Sequence, residues 1–372
     1  MPRTLNLLLL ASALAAPVCA TPTAAPAARQ NAPTTTQQPP AADEELERAR
    51  GMLARGEAAA AVAALKPLAE RRKTDADVWY YLGFALTRAG KPKDGHKAFE
   101  SALKLRPDSA QARAGLAYAL LLLDKPKDAE REAALALAAA PQQAAAHYVV
   151  AALRFREERF TEAVREAWAS LRADPEFSAA LRIAGDALLN AYYVELSRQA
   201  RLYPISPGAG KEEIQLMTEK REPALAPFKE GLRDLAGRLE ALAAAHPNAP
   251  EAAALREQAD TLRISGRRPG ERAPGDIYSS TEVTTRALIT YKPEPGFSGK
   301  ARSRDTTGTV RLRAVLGSDG QIRNITVIKR LPNGLTEKAI EAARKIKFKP
   351  ATLDGRPVSQ AVVLEYNFSI IY

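Results

Sequence analysis

Thr309–Leu316 (TVRLRAVL) is the stretch that decides the fold at the C-terminal end of this 372-residue chain. Its apolar residues alternate with Arg311 and Arg313, and a period of two predicts a half-buried antiparallel strand. The turn-forming residues 317–320 (GSDG) follow, and apolar residues within 321–330 predict a second strand beyond them. The sequence therefore predicts two strands joined by a turn.

Two more elements follow along the chain. Apolar residues recur at helical spacing between 335 and 346, which predicts a short amphipathic helix over one face of the sheet. Apolar and polar residues alternate again from 358 to 372, and this alternation predicts the closing strand. The C-terminal fold class is therefore a small α+β domain with the order ββαβ.

Short blocks of this region resemble the C-terminal domain of the TonB family, the energy transducers of outer-membrane transport in Gram-negative bacteria. The blocks are 300–302 (KAR), 308–310 (GTV), 318–320 (SDG), 335–344 (LTEKAIEAAR), 348–351 (FKPA) and 354–358 (DGRPV). The chain departs from the family at Phe297-Ser298, where Tyr-Pro is usual, and at Ile346, where Trp is usual. The resemblance implies a TonB-like domain over about 291–372.

The resemblance also implies how this domain would bind a partner. In the family, a short peptide of an outer-membrane transporter adds as a strand to the sheet edge formed by the last strand. The edge positions expected in this chain are Ala361, Val363, Glu365, Asn367 and Ser369. Two alternatives stay open: the strand pairs within a homodimer, or it only closes the domain.

The N-terminal end has the form of a secretory signal peptide. Arg3 precedes an apolar run of 14 residues, 5–18, which is shorter than the roughly 20 residues that a membrane-spanning helix needs. We expect cleavage after Ala20 and export to the periplasm or cell envelope of a Gram-negative-type bacterium. The mature chain would then lack cysteine, because Cys19 is the only one. Residues 21–42 are rich in Ala, Pro and Thr and predict a disordered, extended linker.

Residues 43–203 repeat with a period of 34, the length of a tetratricopeptide (TPR) repeat. Three prolines mark this period, namely Pro107, Pro141 and Pro175. The resemblance to the TPR family implies an α-solenoid with three clear units, and a fourth and fifth that begin at about Ala42 and Ser178. Residues 204–264 are expected to form helices that cap the solenoid, and 265–290 to form a linker.

The inner helix of each TPR unit lines a concave, peptide-binding groove in the family. In this register the groove positions are Tyr80, Phe84, Tyr118, Tyr148 and Phe155, with Arg182 and Asp186 near one end. Aromatic residues at these positions imply a groove for an apolar peptide, extended or helical. The alternative is that these rings pack between repeats. The Asn and Lys positions of the carboxylate-clamp subfamily are not matched.

Positive charge is concentrated in the C-terminal part. The whole chain carries a formal net charge of +11, and from Arg286 onward sixteen Lys and Arg face seven Asp and Glu. The sheet is expected to carry a basic face, which would attract an anionic envelope surface or an acidic receptor. Its residues are Arg311, Arg313, Arg323, Lys329 and Arg330. No nucleic-acid-binding motif is present in the sequence, and no nucleic-acid partner is expected.

The sequence contains no recognisable catalytic or metal-binding constellation. His96, His147 and His246 lie far apart and have no cluster of ligand partners in the sequence. Residues 101–104 match S-x-x-K without the companion motifs of that enzyme class, and 208–211 depart from a P-loop at two positions. We therefore expect no enzymatic activity, no metal site and no cofactor.

These patterns predict a multidomain protein, an α-solenoid followed by a small α+β domain. The expected function is that of an exported envelope adaptor. The solenoid would hold one protein partner, and the basic TonB-like domain would dock on an outer-membrane transporter or envelope complex. One alternative is an energy transducer of TonB-dependent transport, anchored by an uncleaved N-terminus. The other is a structural protein that binds the cell wall or outer membrane through its basic domain.

Overall fold

The computed structural model describes residues 41–206, 208–247, 249, 251–268, 271, 277–280 and 282–369. The predicted signal peptide, and the predicted linker as far as residue 40, lie outside the described residues. The chain divides into two compact units, Met1–Ile183 and Ala184–Tyr372. Each unit has hydrophobic clusters of its own.

The first unit is built from pairs of short helices. They are α1 Ala41–Ala54, α2 Ala58–Arg71, α3 Ala76–Arg88, α4 Pro92–Leu105, α5 Ala110–Leu122, α6 Pro126–Ala139, α7 Ala144–Arg156 and α8 Phe160–Ala173. The second helices of the pairs begin at Ala58, Pro92, Pro126 and Phe160, which are equally spaced by one repeat length. The predicted repeat period is therefore confirmed as a structural period.

The turn inside each pair contains one residue in the left-handed backbone region. These residues are Gly56 (φ 79°), Gly90 (φ 75°), Asp124 (φ 56°) and Glu158 (φ 59°), and they too are spaced by one repeat length. Glycine adopts this conformation readily, whereas Asp124 and Glu158 carry a Cβ that disfavours it. The repeat architecture therefore imposes the same turn on sequences with different local preferences.

Paired helices approach closely where their residues are small. A Cβ added at Gly95 of α4 would lie 2.9 Å from the carbonyl oxygen of Gly83 in α3. A Cβ added at Gly83 would lie 2.9 Å from Cδ1 of Phe99, whose side chain is fully buried. The close contact between α3 and α4 therefore depends on glycine at these two positions.

The fifth predicted TPR unit is incomplete. Helix α9, Ser178–Leu202, begins in phase with the earlier first helices but continues for 25 residues. The next helix begins at Lys211, whereas the second helix of a complete unit would start one repeat length after Phe160. Helix α9 therefore continues through the position, one repeat length after Glu158, at which the earlier pairs turn. The expectation of a full fifth unit was wrong for this reason.

The second unit combines helices with a small sheet. Its further helices are α10 Lys211–Ala245, α11 Ala252–Ser265, α12 Gly299–Arg302 and α13 Leu335–Ala343. Its strands are β1 Ile277–Tyr278, β2 Leu288–Tyr291, β3 Gly308–Leu316, β4 Ile322–Lys329, β5 Lys347–Lys349, β6 Ala351–Leu353 and β7 Arg356–Phe368. The main sheet has the order β1-β7-β3-β4, and β6 also pairs with β7. Strands β2 and β5 form a separate antiparallel pair.

The predicted ββαβ order is confirmed by β3, β4, α13 and β7. Residues 265–290, predicted to be a linker, instead contribute β1 and most of β2. Strands of two to four residues are too short to show a periodicity, so the sequence pattern could not reveal them. The helices expected to cap the solenoid lie in the second unit, where α11 packs against β4.

The two faces of the main sheet have different neighbours. On one face Leu312 and Leu364 belong to a buried cluster with Leu335 of α13. On the other face Arg313 Nη1 donates a 2.7 Å hydrogen bond to Ser265 Oγ at the end of α11. Helix α13 thus completes the apolar core, and α11 binds the opposite face through polar groups.

Candidate functional site

Strand β7 is paired along one edge and largely open along the other. Its inner edge is antiparallel to β3 over nine residue pairs, from Gly308↔Phe368 to Leu316↔Gln360. Its outer edge pairs with β6 and β1 only as far as Gln360. Beyond that residue no other described strand pairs with the outer edge. This open edge, Ala361–Phe368, is the first candidate site.

Alternate residues of β7 direct their backbone groups away from the sheet. The carbonyl oxygen of Glu365 accepts a 2.5 Å hydrogen bond from Lys292 Nζ, so it faces outward. In an antiparallel strand the N–H and C=O of one residue point to the same side, and the side alternates along the strand. Ala361, Val363 and Asn367 therefore share the orientation of Glu365. These are four of the five edge positions that the sequence predicted.

Most side chains at the predicted edge positions are exposed. Val363 retains 50% of its accessible surface. The carboxylate of Glu365 lies 2.9 Å from Arg311 Nε, and Asn367 Oδ1 accepts a 2.7 Å hydrogen bond from Thr309 Oγ1. Ser369, the fifth predicted position, is exposed and follows the end of β7.

The opposite edge of the main sheet, formed by β4, is less suited to strand addition. Its strand β4 is irregular, with register shifts against β3 and a left-handed residue, Asn324 (φ 52°). The Asn324 N–H donates to Glu257 Oε1 at 3.2 Å, and its side chain donates to Glu257 O at 3.1 Å. A bulged strand tied to α11 is a poor template for strand addition.

A short segment, Lys292–Phe297, lies beside the far end of the open edge. Lys292 Nζ is 4.6 Å from the centre of the Tyr366 ring, and the Phe297 ring packs edge-on against Phe368 at 5.4 Å. The segment contains Pro293 and Pro295, which lack the N–H needed for a strand ladder. We call Lys292–Phe297 the edge segment. Sequence reasoning missed Lys292 because no pattern distinguishes it from other exposed lysines.

The side chain of Tyr366, beside this edge, has a raised pKa. Burial raises its pKa to about 12, so the phenol stays neutral at any physiological pH. Its hydroxyl is buried and makes no hydrogen bond with another described residue. The exposed charge of Lys292 therefore lies against a neutral ring.

The cations predicted to form a basic face are partly neutralised by neighbouring acidic residues. Arg311 lies beside Glu365, and Arg323 forms an ion pair with Asp319. Arg313 is directed to α11 through Ser265, as described above. Lys329 and Arg330 are exposed at the end of β4. The five cations therefore do not form one uncompensated patch.

The second candidate site is a row of aromatic rings in the first unit. Tyr80 and Phe84 of α3 stack at 6.4 Å, and Tyr118 of α5 meets Tyr148 of α7 edge-on at 5.6 Å. Tyr148 also lies 5.2 Å from Phe177. All five rings are half-buried. Four of the five predicted groove residues thus lie in this row, and Phe177 extends it.

Burial keeps the tyrosines of this row neutral. It raises the pKa of Tyr80 and of Tyr148 to about 12, and it raises the pKa of Tyr118 in the same direction. The row therefore offers apolar ring surface and neutral hydroxyl groups, and it carries no negative charge of its own.

Phe155, the remaining predicted groove residue, has a different position. It is only 6% exposed, and its ring lies 5.6 Å from Phe160 of α8. It therefore packs between α7 and α8 and is not accessible to a partner. Asp186 also differs from expectation, because it belongs to the second unit and accepts a 2.9 Å hydrogen bond from Gln258.

Arginine residues flank the aromatic row. Arg88 is exposed, and its guanidinium carbon lies 5.6 Å from the centre of the Phe84 ring. The positive charge of Arg88 opposes the rise in the pKa of Tyr118, and Arg156 and Arg182 do the same at Tyr148. Arg88 and Arg156 are separated by two repeat lengths, with the exposed Leu122 midway. The repeat period could have identified this column, which sequence reasoning missed.

A cleft where α2 ends and α3 begins is rich in arginine, but its charges are paired. It is lined by Arg71, Arg72 and Arg106 together with Thr74 and Asp75. Arg71 pairs with Glu45, Arg72 Nη2 lies 2.9 Å from Asp75 Oδ2, and Arg106 Nη1 lies 2.8 Å from Asp77 Oδ1. The ion pairs neutralise the cleft, so we do not assign an anion site to it.

Both ring nitrogens of His147 have hydrogen-bond partners within the first unit. Its Nδ1 lies 2.9 Å from Glu166 Oε2, and its Nε2 lies 2.9 Å from the carbonyl oxygen of Pro141. Both partners are acceptors, so the protonated ring satisfies both. The hydrogen bond to Glu166 raises the pKa of His147 and lowers that of Glu166. The pair joins α7 to α8.

Two negative findings apply to the residues that the structure describes. Those residues contain no group of three or more His, Cys, Asp or Glu placed to hold a metal ion. None of the helices that the structure describes combines the length and the apolar character needed to span a membrane.

Comparison with known families assigns both modules. Residues 293–370 match the family described as Gram-negative bacterial TonB protein C-terminal, and residues 86–153 match the tetratricopeptide repeat family. A relative is protein TonB of Vibrio cholerae serotype O1 (strain ATCC 39315 / El Tor Inaba N16961), 26% identical over 110 residues. The aligned region is 27% of this chain and 45% of that relative, so the chain spans less than half of its length.

Two solved structures are similar to part of this chain. MamA from Desulfovibrio magneticus RS-1 is 22% identical, with a TM-score of 0.34 over 49% of this chain and 96% of that one. The second TPR domain of human RPAP3, solved in complex with an HSP70 peptide, is 18% identical, with a TM-score of 0.29 over 30% of this chain and 94% of that one. From the two family matches, the chain contains TPR repeats followed by a TonB-type C-terminal region.

Proposed function

We propose that this protein is a cell-envelope adaptor whose C-terminal sheet captures an extended segment of an outer-membrane transporter. The observation that supports this most is the open outer edge of β7, from Ala361 to Phe368. An added strand could pair with the outward backbone groups of Ala361, Val363, Glu365 and Asn367. Exposed strand edges are rare in soluble proteins unless they are covered or used, so an open edge of this length favours a partner.

The family match supports the type of partner. A TonB-type region over residues 293–370 and a 26% identical TonB relative favour a Gram-negative envelope location. The basic composition from Arg286 onward would increase the rate of encounter with an acidic surface. We propose export through the predicted signal peptide, 1–20, on the sequence grounds given above.

The aromatic row of the first unit is proposed to hold a second protein. Tyr80, Phe84, Tyr118 and Tyr148 offer ring surface for apolar side chains, and tyrosine is common at the centre of protein interfaces. Arg88 and Arg156 are exposed beside it, and Arg156 Nη1 lies 3.4 Å from Asp124 Oδ1. A segment that carries both apolar side chains and carboxylates would complement this surface. The groove that the TPR family uses for peptides supports the assignment.

The role proposed here is capture and not catalysis. Both modules belong to families of interaction domains, and the two candidate sites present backbone edges, rings and cations. Neither brings together a nucleophile and a base. The homodimer alternative uses the same β7 edge and differs only in the identity of the added strand.

Affinity capture tests this function. The full chain and its Val363→Pro variant are exposed to a detergent extract of a Gram-negative envelope, and bound proteins are identified. Proline at 363 removes an outward N–H from an edge strand without removing a bond to β3. We expect an outer-membrane β-barrel protein bound by the natural chain and lost with Val363→Pro. If the same proteins bind both chains, strand addition at β7 is not the function.

A further inference from the structure

Lys292 occupies a backbone acceptor that an added strand would need. Its Nζ donates a 2.5 Å hydrogen bond to the carbonyl oxygen of Glu365, one of the outward groups of the open edge. An antiparallel partner strand would direct a backbone N–H to the same oxygen. The incoming strand and the Lys292 ammonium therefore compete for one position.

The charge of Lys292 has no counterion among the described residues. The nearest edge carboxylate, that of Glu365, lies 2.9 Å from Arg311 Nε. Glu294 follows Lys292 in the edge segment, but it is exposed and forms no ion pair with another described residue. Besides the Glu365 carbonyl, the ammonium lies near the Tyr366 ring, 4.6 Å from its centre. A ring face attracts an exposed cation more weakly than a carboxylate does.

If an added strand displaces the Lys292 ammonium from the Glu365 carbonyl oxygen, the ammonium needs a new hydrogen-bond acceptor. A carboxylate on the added strand can supply one, and a charge-assisted hydrogen bond is stronger than a neutral one. Directly opposed side chains on neighbouring strands lie about 4.5–5.5 Å apart at Cβ, and diagonal neighbours about 7–8 Å. The flexible four-carbon stem of lysine reaches either position.

We propose that Lys292 is a specificity-determining residue of the β7 edge. It selects extended peptides that carry Asp or Glu opposite Tyr366 or one diagonal position away, because those side chains lie on the sheet face where Lys292 contacts the Tyr366 ring. A neutral peptide must break the Lys292 hydrogen bond without replacing it, and the edge discriminates against it for that reason. The inference rests on strand addition at β7, and it adds the chemistry of the partner segment.

Peptide selection tests the proposal and does not require an identified partner. A display library of random ten-residue peptides is selected on four full-length chains: the natural protein, Lys292→Met, Lys345→Met and Val363→Pro. Methionine retains much of the lysine side chain without its charge. Lys345 is an exposed lysine of the same unit that belongs neither to the open edge nor to the edge segment, and it serves as the charge control. Val363→Pro identifies peptides that bind elsewhere.

The expected result is an acidic residue at one aligned position of the Val363→Pro-sensitive peptides. We expect the natural chain and Lys345→Met to enrich Asp and Glu there, and Lys292→Met to lose the enrichment. A selected peptide and its Asp→Asn analogue are then compared by calorimetry. The natural chain should prefer the acidic peptide about tenfold, and Lys292→Met less than about twofold, the scale of one charge-assisted contact.

Two other results would overturn the proposal, and they differ in meaning. Edge-dependent peptides without an acidic position, or with the same acidic position in Lys292→Met, would reject the role of Lys292 and leave strand addition intact. If no selected peptide is sensitive to Val363→Pro, strand addition itself fails, and the Lys292 inference fails with it.

Discussion

The His147–Glu166 pair gives the first unit a pH dependence that can be measured. The pKa of His147 is raised, so its contribution to stability is complete below the ordinary histidine value of about 6.5 and is lost as pH rises through the raised value. The pKa of Glu166 is lowered, so its contribution is lost only as pH falls below about 4.3. The His147–Glu166 pair therefore stabilises the first unit most between about pH 4.3 and the raised pKa of His147.

Between pH 6 and pH 8.5, we expect the free energy of unfolding to fall by about 0.5–1 kcal/mol more in the natural chain than in Glu166→Gln. Urea unfolding followed by tryptophan fluorescence measures this, because the chain has two tryptophans, Trp79 and Trp168, and both lie in the first unit. Equal pH dependence in the two proteins would mean that the His147 charge does not contribute. Asp128→Asn, which removes an exposed ion pair with Arg131, is the control and should leave the slope unchanged.

Individual residues were predicted best where a repeat or alternation fixed them. Tyr80 lies in the aromatic row and Val363 is an exposed residue of β7, while their contact with a partner stays a prediction. Phe155 lies outside the row, because its ring turns toward Phe160 on the next helix and a one-dimensional pattern does not contain that contact. Lys292 was missed because its significance comes from Glu365, which lies 73 residues later in the chain.

At the level of the element, β7 should tolerate proline at alternate positions only. Val362 and Val363 are neighbours of identical chemistry, but the N–H of Val362 faces β3 and that of Val363 faces outward. We expect Val362→Pro to cost about 2–3 kcal/mol, because it leaves an unpaired acceptor in the sheet, and Val363→Pro to cost less than about 1 kcal/mol. Hydrogen exchange of the β3 amides measures both costs.

The β3 amides report on the inner edge of β7, so their exchange distinguishes the two proline variants. Protection of β3 should fall in Val362→Pro and persist in Val363→Pro. The reverse order would place the outward groups on the even residues, and the assignment of the open edge would then be wrong.

The elements that sequence analysis predicted are the long ones. Strands β3, β4 and β7 contain eight or more residues each, and α13 has a clear apolar face, so their periodicity is readable. Strands β1, β2, β5 and β6 have two to four residues and are formed by tertiary pairing. The length of α9 was also unpredicted, since the repeat period placed the start of a second helix one repeat length after Phe160.

For the whole molecule, we propose two binding surfaces on two compact units. The first unit presents aromatic rings flanked by arginines. The second presents a backbone edge at which Lys292 donates a hydrogen bond to the carbonyl oxygen of Glu365. Each would recognise an extended or helical segment of another protein by different chemistry. An adaptor of this kind would connect two partners through one chain.

The most direct measurement is site-specific photo-crosslinking in cells from position 363. A photoreactive amino acid replaces Val363 in the full chain, and Lys345 in a matched control. We predict that position 363 crosslinks to an outer-membrane β-barrel protein through an extended segment that contains Asp or Glu, and that position 345 does not. Crosslinks from 363 only to a second copy of this chain, or identical products from both positions, would contradict capture of a transporter segment by β7.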